Sequence, residues 1–160
     1  MRVFYPVSLN LVGRRCVVIG EADDREAIEK EAALREAGAD VVRMSPDRLR
    51  DEDVVAAFFV ISTPQDALLS ARLRALADAH RFLLCCIDQP AFGFVAIAAI
   101  VKAGPVRVAI STAGLAPRVG KLLKEALQRA MDGRFARFVE RIASRREATM
   151  AAHPVPENLS

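Results

Sequence analysis

The pentapeptide Arg15–Ile19, RCVVI, is a short apolar run rich in β-branched residues, which predicts a buried strand. The chain that follows contains Asp23 and Asp24, either of which can cap a helix. Helix-forming residues then continue to about Ala37, and Gly38 is placed to end the helix. The stretch therefore predicts one strand followed by one helix.

The same alternation continues through the first 90 residues. Further apolar strands are predicted at Asp40–Met44, 57–62 and 82–87. A helix is predicted at 67–79, with Leu68, Leu69, Leu73 and Leu76 on one face. Apolar strands separated by helices indicate a parallel sheet that is covered on both faces. With right-handed crossovers, this is a Rossmann-like, doubly wound α/β fold.

The remainder of the chain predicts a smaller α/β element and a C-terminal helix. Residues 94–101 are apolar and fit either a helix or a buried connector, whereas residues 106–111 alternate like a half-exposed strand. Residues 118–131 form an amphipathic pattern with basic residues on the polar face, and a last helix is predicted over 135–150.

Composition excludes several classes of protein. With 160 residues, 52% of them hydrophobic, the chain is too apolar to be disordered. Its longest apolar runs, such as 54–61, are less than half of the roughly 20 residues that a membrane span needs, and the N-terminus MRVFYP has no signal-peptide pattern. We therefore expect no membrane association and a cytoplasmic location.

Cysteine and histidine usage predicts neither disulfides nor a metal site. Cys16, Cys85 and Cys86 lie in apolar runs, which is typical of buried, reduced thiols. His80 and His153 have no Cys or His at zinc-ligand spacing.

Charge is distributed unevenly along the chain. Residues 1–100 hold 12 Lys/Arg against 15 Asp/Glu, whereas residues 101–160 hold 11 against 5. The basic C-terminal part predicts an anionic partner, which could be nucleic acid, an anionic lipid surface or a polycarboxylate small molecule; a solvated helix face is the simpler alternative. One Tyr and no Trp disfavour a binder of single-stranded nucleic acid.

In a doubly wound fold, ligands bind at the carboxyl ends of the strands. Four loops qualify here: residues 20–24, 44–47, 62–65 and 88–90. The candidate cofactor-binding residues on the first three are Gly20, Asp23, Asp24, Ser45, Pro46 and Thr63. A dinucleotide site is expected to have a glycine-rich first loop, but this loop keeps one glycine and carries three carboxylates. Spacing alone does not indicate a nucleotide site.

The order of the motifs resembles a known family. These motifs are FYP at 4–6, LNLVGRR at 9–15, VVIG at 17–20, EAGA at 36–39, AFFVIST at 57–63, IDQP at 87–90, AIVKAGP at 99–105 and VAISTAGLAP at 108–117. In this order they resemble the N-terminal domain of siroheme synthase, the precorrin-2 dehydrogenase and sirohydrochlorin ferrochelatase family. The resemblance covers about residues 4–131, with a weaker trace to about 148.

The resemblance implies a division of the chain and an activity. It implies an NAD-binding Rossmann-like domain over 1–90, a dimerisation element over 91–131 and a remnant of a helical C-terminal domain over 132–150. The tail over 151–160 contains two prolines and is expected to be disordered. The implied protein is a homodimer whose clefts hold a tetrapyrrole. It would transfer hydride from precorrin-2 to NAD⁺ to give sirohydrochlorin, and some members also insert iron.

The resemblance also implies site residues. Asp88 matches the catalytic aspartate, and a carboxylate suits a general base; a turn residue before Pro90 is the alternative. The resemblance also places Ser111, Thr112 and Gly114 at the substrate cleft, and Arg118 and Lys121 at the start of the next helix are further candidate substrate-binding residues because of their charge. In the substrate-binding interpretation, the basic side chains bind the carboxylate arms of the substrate. The alternative for this segment is an ordinary strand-to-helix connection.

Departures from the family concentrate at the cofactor side. The expected glycine triplet is reduced to Gly20, and the segment between Met44 and Val54 is short. Cys85 stands where the family usually has Asn, and Ala113 where it has Gly. Because three carboxylates would face a pyrophosphate, we expect NAD to bind weakly or not at all.

Two functional classes therefore stay open. The first is a short precorrin-2 dehydrogenase that uses Asp88, with or without chelatase activity. The second is a non-enzymatic relative that binds a tetrapyrrole or serves as a scaffold and has lost NAD binding. A chelatase or tetrapyrrole carrier without a nicotinamide step is a third, more distant alternative.

Overall fold

The computed structural model describes residues 4–112 and 116–152, and the chain forms two units, Met1–Ile97 and Ala98–Ser160. The elements of the first unit are β1 (Arg15–Ile19), α1 (Arg25–Glu36), β2 (Asp40–Met44), α2 (Asp51–Val55), β3 (Phe59–Ser62), α3 (Ala67–His80) and β4 (Leu83–Cys86). Those of the second are β5 (Ala99–Ala103), β6 (Val106–Ile110), α4 (Pro117–Ala130) and α5 (Gly133–Ala152).

The strands of the first unit form one parallel sheet in the order β2-β1-β3-β4. Val17 lies opposite Val42 of β2 on one side and Val60 of β3 on the other. The strand order reverses between β1 and β3, which is the topological switch point of a doubly wound sheet. The predicted Rossmann-like α/β fold is confirmed.

The sheet has a hydrophobic core on each face. Val17 and Ile19 belong to the core that also contains Leu73 and Leu84. Cys16 and Val18 belong to the other core, with Leu34 and Val41. Because both faces are covered, β1 is apolar at four consecutive positions, Cys16 to Ile19, rather than at alternate ones.

The three cysteines lie in these cores as free thiols, as predicted. Burial raises the pKa of the Cys85 thiol to about 11, and burial also raises the pKa values of Cys16 and Cys86. The thiolate form is therefore disfavoured at all three positions.

One residue predicted to lie on the buried face of α3 is exposed in the structure. Leu68 was expected to share the buried face with Leu69 and Leu73, but its side chain is 85% exposed. The capping aspartate Asp66 starts the helix, with its Oδ1 accepting hydrogen bonds from the amides of Leu68 and Leu69. This fixes the helical phase so that Leu69, Leu73 and Ala77 face the sheet. Strands β3 and β4 are also shorter than the predicted spans of 57–62 and 82–87.

The segment predicted as a helix or buried connector over 94–101 is neither. Phe94 is 39% exposed, and from Ala99 the chain forms β5, because the antiparallel partner β6 follows directly. The amides of Phe94 and Val95 both donate to the carbonyl oxygen of Leu84, at 2.8 and 3.0 Å. The guanidinium of Arg74 also lies 3.9 Å from the Phe94 ring centroid. These contacts attach residues 91–97 to the first unit, beyond the domain boundary expected after residue 90.

The second unit contains a β-hairpin and two helices. Strands β5 and β6 are antiparallel and turn at Gly104, whose φ of +55° favours glycine. The Gln128 side chain of α4 bonds the backbone of Lys102, accepting from its amide at 3.4 Å and donating to its carbonyl oxygen at 3.0 Å. Asp132 caps α5 by accepting from the amides of Arg134 and Phe135. The predicted half-exposed strand and both predicted helices are confirmed.

In the described ranges, no helix is both long and apolar enough to cross a membrane. Most of the tail expected to be disordered lies outside the described residues, which end at Ala152.

Candidate functional site at the carboxyl edge of the sheet

Three loops of the first unit meet where β1, β2 and β3 end. The Gly20 amide donates to the carbonyl oxygen of Met44, at 2.9 Å, and the Thr63 amide donates to that of Ile19, at 3.0 Å. The loop residues predicted from the sequence are therefore brought to one edge, at the switch point between β1 and β3. This is the edge where doubly wound folds bind ligands.

Asp24 is the most tightly held polar residue of this edge. Its Oδ1 accepts hydrogen bonds from the amides of Glu26, at 2.9 Å, and Ala27, at 3.3 Å, which caps α1. Its Oδ2 accepts a short hydrogen bond from Thr63 Oγ1. This bond to Thr63 is the main reason that the pKa of Asp24 lies below its ordinary value, and the two amides and Arg43 lower it further. Asp23, the other predicted cap, is exposed.

Gly20 permits a close approach between β1, α1 and the loop after β3. A Cβ at this position would lie 2.6 Å from Ala27 Cβ, 2.6 Å from Thr63 Oγ1 and 3.0 Å from Asp24 Oδ2. The space that this glycine leaves is thus filled by the protein's own side chains. A pyrophosphate at the α1 N-terminus would meet the Asp24 carboxylate, which already accepts from two of the amides there, so this loop would hold a pyrophosphate only against a like charge.

The loop after β2 contributes the remaining predicted cofactor residues. Ser45 and Pro46 are half-buried, and Pro46 starts a single 3₁₀ turn at 46–48. They follow Met44, whose carbonyl oxygen accepts from Gly20, so they belong to the same edge. Their contact with a cofactor stays a prediction.

Asp88 lies at the end of β4, exposed, with a positive φ of 56°. Its Oδ2 accepts a hydrogen bond from Gln65 Nε2, at 3.3 Å. Gln65 was not among the site residues predicted from the sequence. It could have been found from its place in the loop after β3, two residues past Thr63, at an edge already expected to bind a ligand.

The predicted substrate-facing residues belong to the second unit. Ser111 and Thr112 follow β6, and Thr112 Cγ2 lies 3.5 Å from where a Cβ of Gly120 would be. Arg118 and Lys121 are exposed on the first two turns of α4. Gly114 lies outside the described residues. Thr112 therefore contacts the helix that carries the two basic side chains.

Helix α5 adds a basic row that the sequence analysis described only as excess charge. Arg134, Arg137, Arg141 and Arg145 recur at helical spacing along α5, and Glu140 and Ser144 lie among them. Arg134 forms an ion pair with Asp132, at 3.1 Å.

Across residues 4–112 and 116–152, no three His, Cys, Asp or Glu side chains cluster as a metal site.

Comparison with known proteins assigns a family. Residues 7–99 match the family model NAD_binding_7, described as "Putative NAD(P)-binding", which covers more than half of the chain. The chain belongs to this family. An NAD(P) cofactor is therefore the one that family membership supports.

Similar proteins confirm the resemblance inferred from the motifs. The siroheme synthase of Nitrosococcus oceani is 29% identical and aligns with 89% of this chain but with 35% of its own length. The chain thus spans about a third of the siroheme synthases that it matches. The precorrin-2 dehydrogenase of Bacillus subtilis is 26% identical, and the alignment covers 86% of this chain and 94% of that protein.

A solved structure supports the fold. The chain described as "SirC, precorrin-2 dehydrogenase" superposes with a TM-score of 0.68 at 20% identity, covering 98% of this chain and 83% of the other. At this identity the likeness establishes the architecture, which agrees with the switch-point sheet described above.

Proposed function

We propose that this chain oxidises precorrin-2 to sirohydrochlorin in siroheme biosynthesis, with NAD⁺ as the hydride acceptor. The observation that carries the proposal is the position of Asp88, a carboxylate at the ligand-binding edge of a switch-point sheet. Two findings support it: membership of an NAD(P)-binding family, and alignment with nearly the whole length of a precorrin-2 dehydrogenase.

Asp88 serves as the general base in this proposal. The oxidation removes a hydride, with its electron pair, and a proton from the macrocycle, and the electron pair that the proton leaves behind becomes the additional double bond of the product. NAD⁺ would take the hydride, and the Asp88 carboxylate would take the proton. Gln65 holds Asp88 Oδ2 by donating to it, and in this proposal the other oxygen, Oδ1, accepts the proton.

The second unit would hold the substrate's acidic arms. Precorrin-2 is a polycarboxylate, and Arg118 and Lys121 offer exposed cations at the start of α4. Ser111, Thr112 and Gly114 belong to the same proposed subsite. The excess of 11 Lys/Arg over 5 Asp/Glu in residues 101–160 fits this class of substrate.

We also propose a homodimer, formed through the predicted dimerisation element at 91–131. Val119, Leu122 and Leu123 of α4 are exposed, and Leu122 reaches 64%. An exposed apolar helix face is a common interface between copies of a chain. The cytoplasm as the protein's location stays a prediction.

The experiment is a direct assay of turnover. Purified protein is mixed with enzymatically made precorrin-2 and NAD⁺, and the absorbance change to sirohydrochlorin is followed together with NADH formation. We expect both signals to rise in a fixed one-to-one ratio. A protein that binds the tetrapyrrole but forms neither product would instead support the non-enzymatic alternative. Sirohydrochlorin with ferrous iron, without NAD⁺, tests chelation separately.

A further inference from the structure

We propose that Asp24 competes with the dinucleotide for the N-terminus of α1 and thereby sets a low affinity of this chain for NAD(H). The inference rests on the proposed function only in taking a nicotinamide dinucleotide as the ligand. It concerns binding in the absence of any tetrapyrrole, so it can be tested whether or not turnover is observed.

The Asp24 carboxylate and a bound phosphate would use the same backbone amides at the start of α1. The first amides of a helix have no partner within the helix, and bound phosphates use these same donors. In this chain the Asp24 carboxylate accepts from the amides of Glu26 and Ala27, at 2.9 and 3.3 Å. A pyrophosphate must either displace this carboxylate or bind beside a negative charge.

Displacing the carboxylate is costly because a second element holds it. Thr63, in the loop after β3, donates its hydroxyl proton to Asp24 Oδ2, so the side chain is tied to the strand on the far side of the switch point. The carboxylate also lies close to Gly20, since a Cβ at that position would be 3.0 Å from Asp24 Oδ2. Asp24 is therefore fixed where the ligand's charge would arrive.

The other two carboxylates of the loop differ from Asp24. Glu21 and Asp23 are exposed, and no described residue bonds their side chains, so they can turn toward solvent. Of the three negative charges that the sequence places in this loop, Asp24 is the one whose position is built into the fold. A neutral residue at position 24 should remove the negative charge held beside the amides, whereas a neutral residue at position 23 should change little.

The test variant is Asp24→Asn, which removes the charge and keeps the shape. Asn caps helices as well as Asp does, and its Oδ1 can still accept from the amides of Glu26 and Ala27. Thr63 Oγ1, which lies 3.1 Å from the Ile19 carbonyl oxygen, can donate there and accept from the new side-chain amide. Asp24→Ser is a second neutral cap, should the first variant fail to fold.

Binding is measured by titrating each protein into NADH and following the cofactor's own fluorescence, without tetrapyrrole. Asp23→Asn has the same charge change in the same loop and serves as the matched control. Asp132→Asn, at the cap of α5 in the second unit, controls for loss of a capping carboxylate. Thermal unfolding of each variant verifies the fold.

We expect Asp24→Asn to bind NADH about tenfold more tightly than the unaltered chain, or better, because even one contact between like charges near a protein surface is worth that much. Asp23→Asn and Asp132→Asn should stay within about threefold. An equal gain from Asp23→Asn, unchanged affinity in Asp24→Asn, or no binding by any folded variant would each overturn the inference. Turnover of the unaltered chain with precorrin-2 is scored separately and bears on the proposed function alone.

Discussion

Gln65 Nε2 donates to Asp88 Oδ2 across 3.3 Å, so the loops after β3 and β4 are joined by side chains at the ligand edge of the sheet. Asp88 holds a φ of 56°, in the left-handed region that Asp and Asn enter more readily than most residues. The carboxylate is thus fixed by its backbone and by one neighbour while the side chain stays exposed, as a proton acceptor must be.

Asp88→Asn should keep the fold and abolish most turnover. Asn tolerates the same backbone conformation and can still bond Gln65, but it cannot accept a proton, so we expect a loss of about 10²–10⁴-fold in kcat. Gln65→Ala, which keeps the carboxylate and removes only its hydrogen bond, should cost less. The absorbance assay with precorrin-2 and NAD⁺ measures both, and unchanged turnover in Asp88→Asn would return Asp88 to the role of a turn residue.

Gly20→Ala should destabilise the protein by about 1–3 kcal/mol, because the new methyl group would meet Ala27 and Thr63 at 2.6 Å. Gly120→Ala is the matched control: it lies within α4, and its new Cβ would be 3.5 Å from Thr112, an ordinary contact. That change should be neutral or stabilise by up to about 1 kcal/mol through helix propensity. Urea unfolding compares the two, and equal effects would contradict the packing seen around Gly20.

Part of the protein's acid sensitivity should come from Asp24. Its pKa in the folded chain lies below the ordinary value of 3.8, chiefly because Thr63 donates to it. Its contribution to stability is therefore complete above about pH 4 and is lost as the pH falls through the lower folded value. The stability advantage of the unaltered chain over Asp24→Asn should therefore be constant above about pH 5 and shrink as the pH falls below about 4. Thermal unfolding across that range would show it, and a constant difference would argue against the hydrogen bond with Thr63.

The three thiols should resist modification in the folded protein. Burial raises the pKa of Cys85 to about 11 and also raises those of Cys16 and Cys86, so little thiolate exists at pH 8. We expect Ellman's reagent to label all three thiols in denaturant. Under native conditions, the rate of labelling should be limited by the rate at which the protein unfolds around each thiol. Rapid labelling of the native protein would contradict the burial of these residues.

Leu122→Glu should convert the proposed dimer into a monomer, since it places a charge in the exposed apolar face of α4. Lys124→Glu, on the same helix, should leave the dimer intact. Light scattering at micromolar concentration distinguishes the two states. A monomeric unaltered chain would overturn the dimer itself.

Much of the fold could be predicted because local and global signals agree. The uninterrupted apolar run of β1 and the Gly38 stop after α1 require no knowledge of distant residues. The identity of the α1 cap could not be predicted, since Asp23 and Asp24 are equivalent in sequence. Thr63, 39 residues further along, distinguishes them by bonding Asp24.

The apolar segment after residue 94 was unpredictable for a related reason. Hydrophobic content does not separate a helix from a strand, and the pairing of Ala99 with Ile110 across the hairpin determines the outcome. Likewise, the contact between Gln65 and Asp88 joins two loops whose sequence separation carries no signal.

The alternation along β1 has a consequence for how this sequence can change over evolutionary time. Val17 and Val18 are neighbours in the chain, yet they serve cores on opposite faces of the sheet and share no packing partner among the residues of either core. Replacements at these two positions should therefore interact through their shared backbone and not through side-chain packing, whereas a replacement at Val17 should covary with Leu73 or Leu84 in its own layer. Each side of the sheet can thus drift, or be redesigned, without the other having to follow.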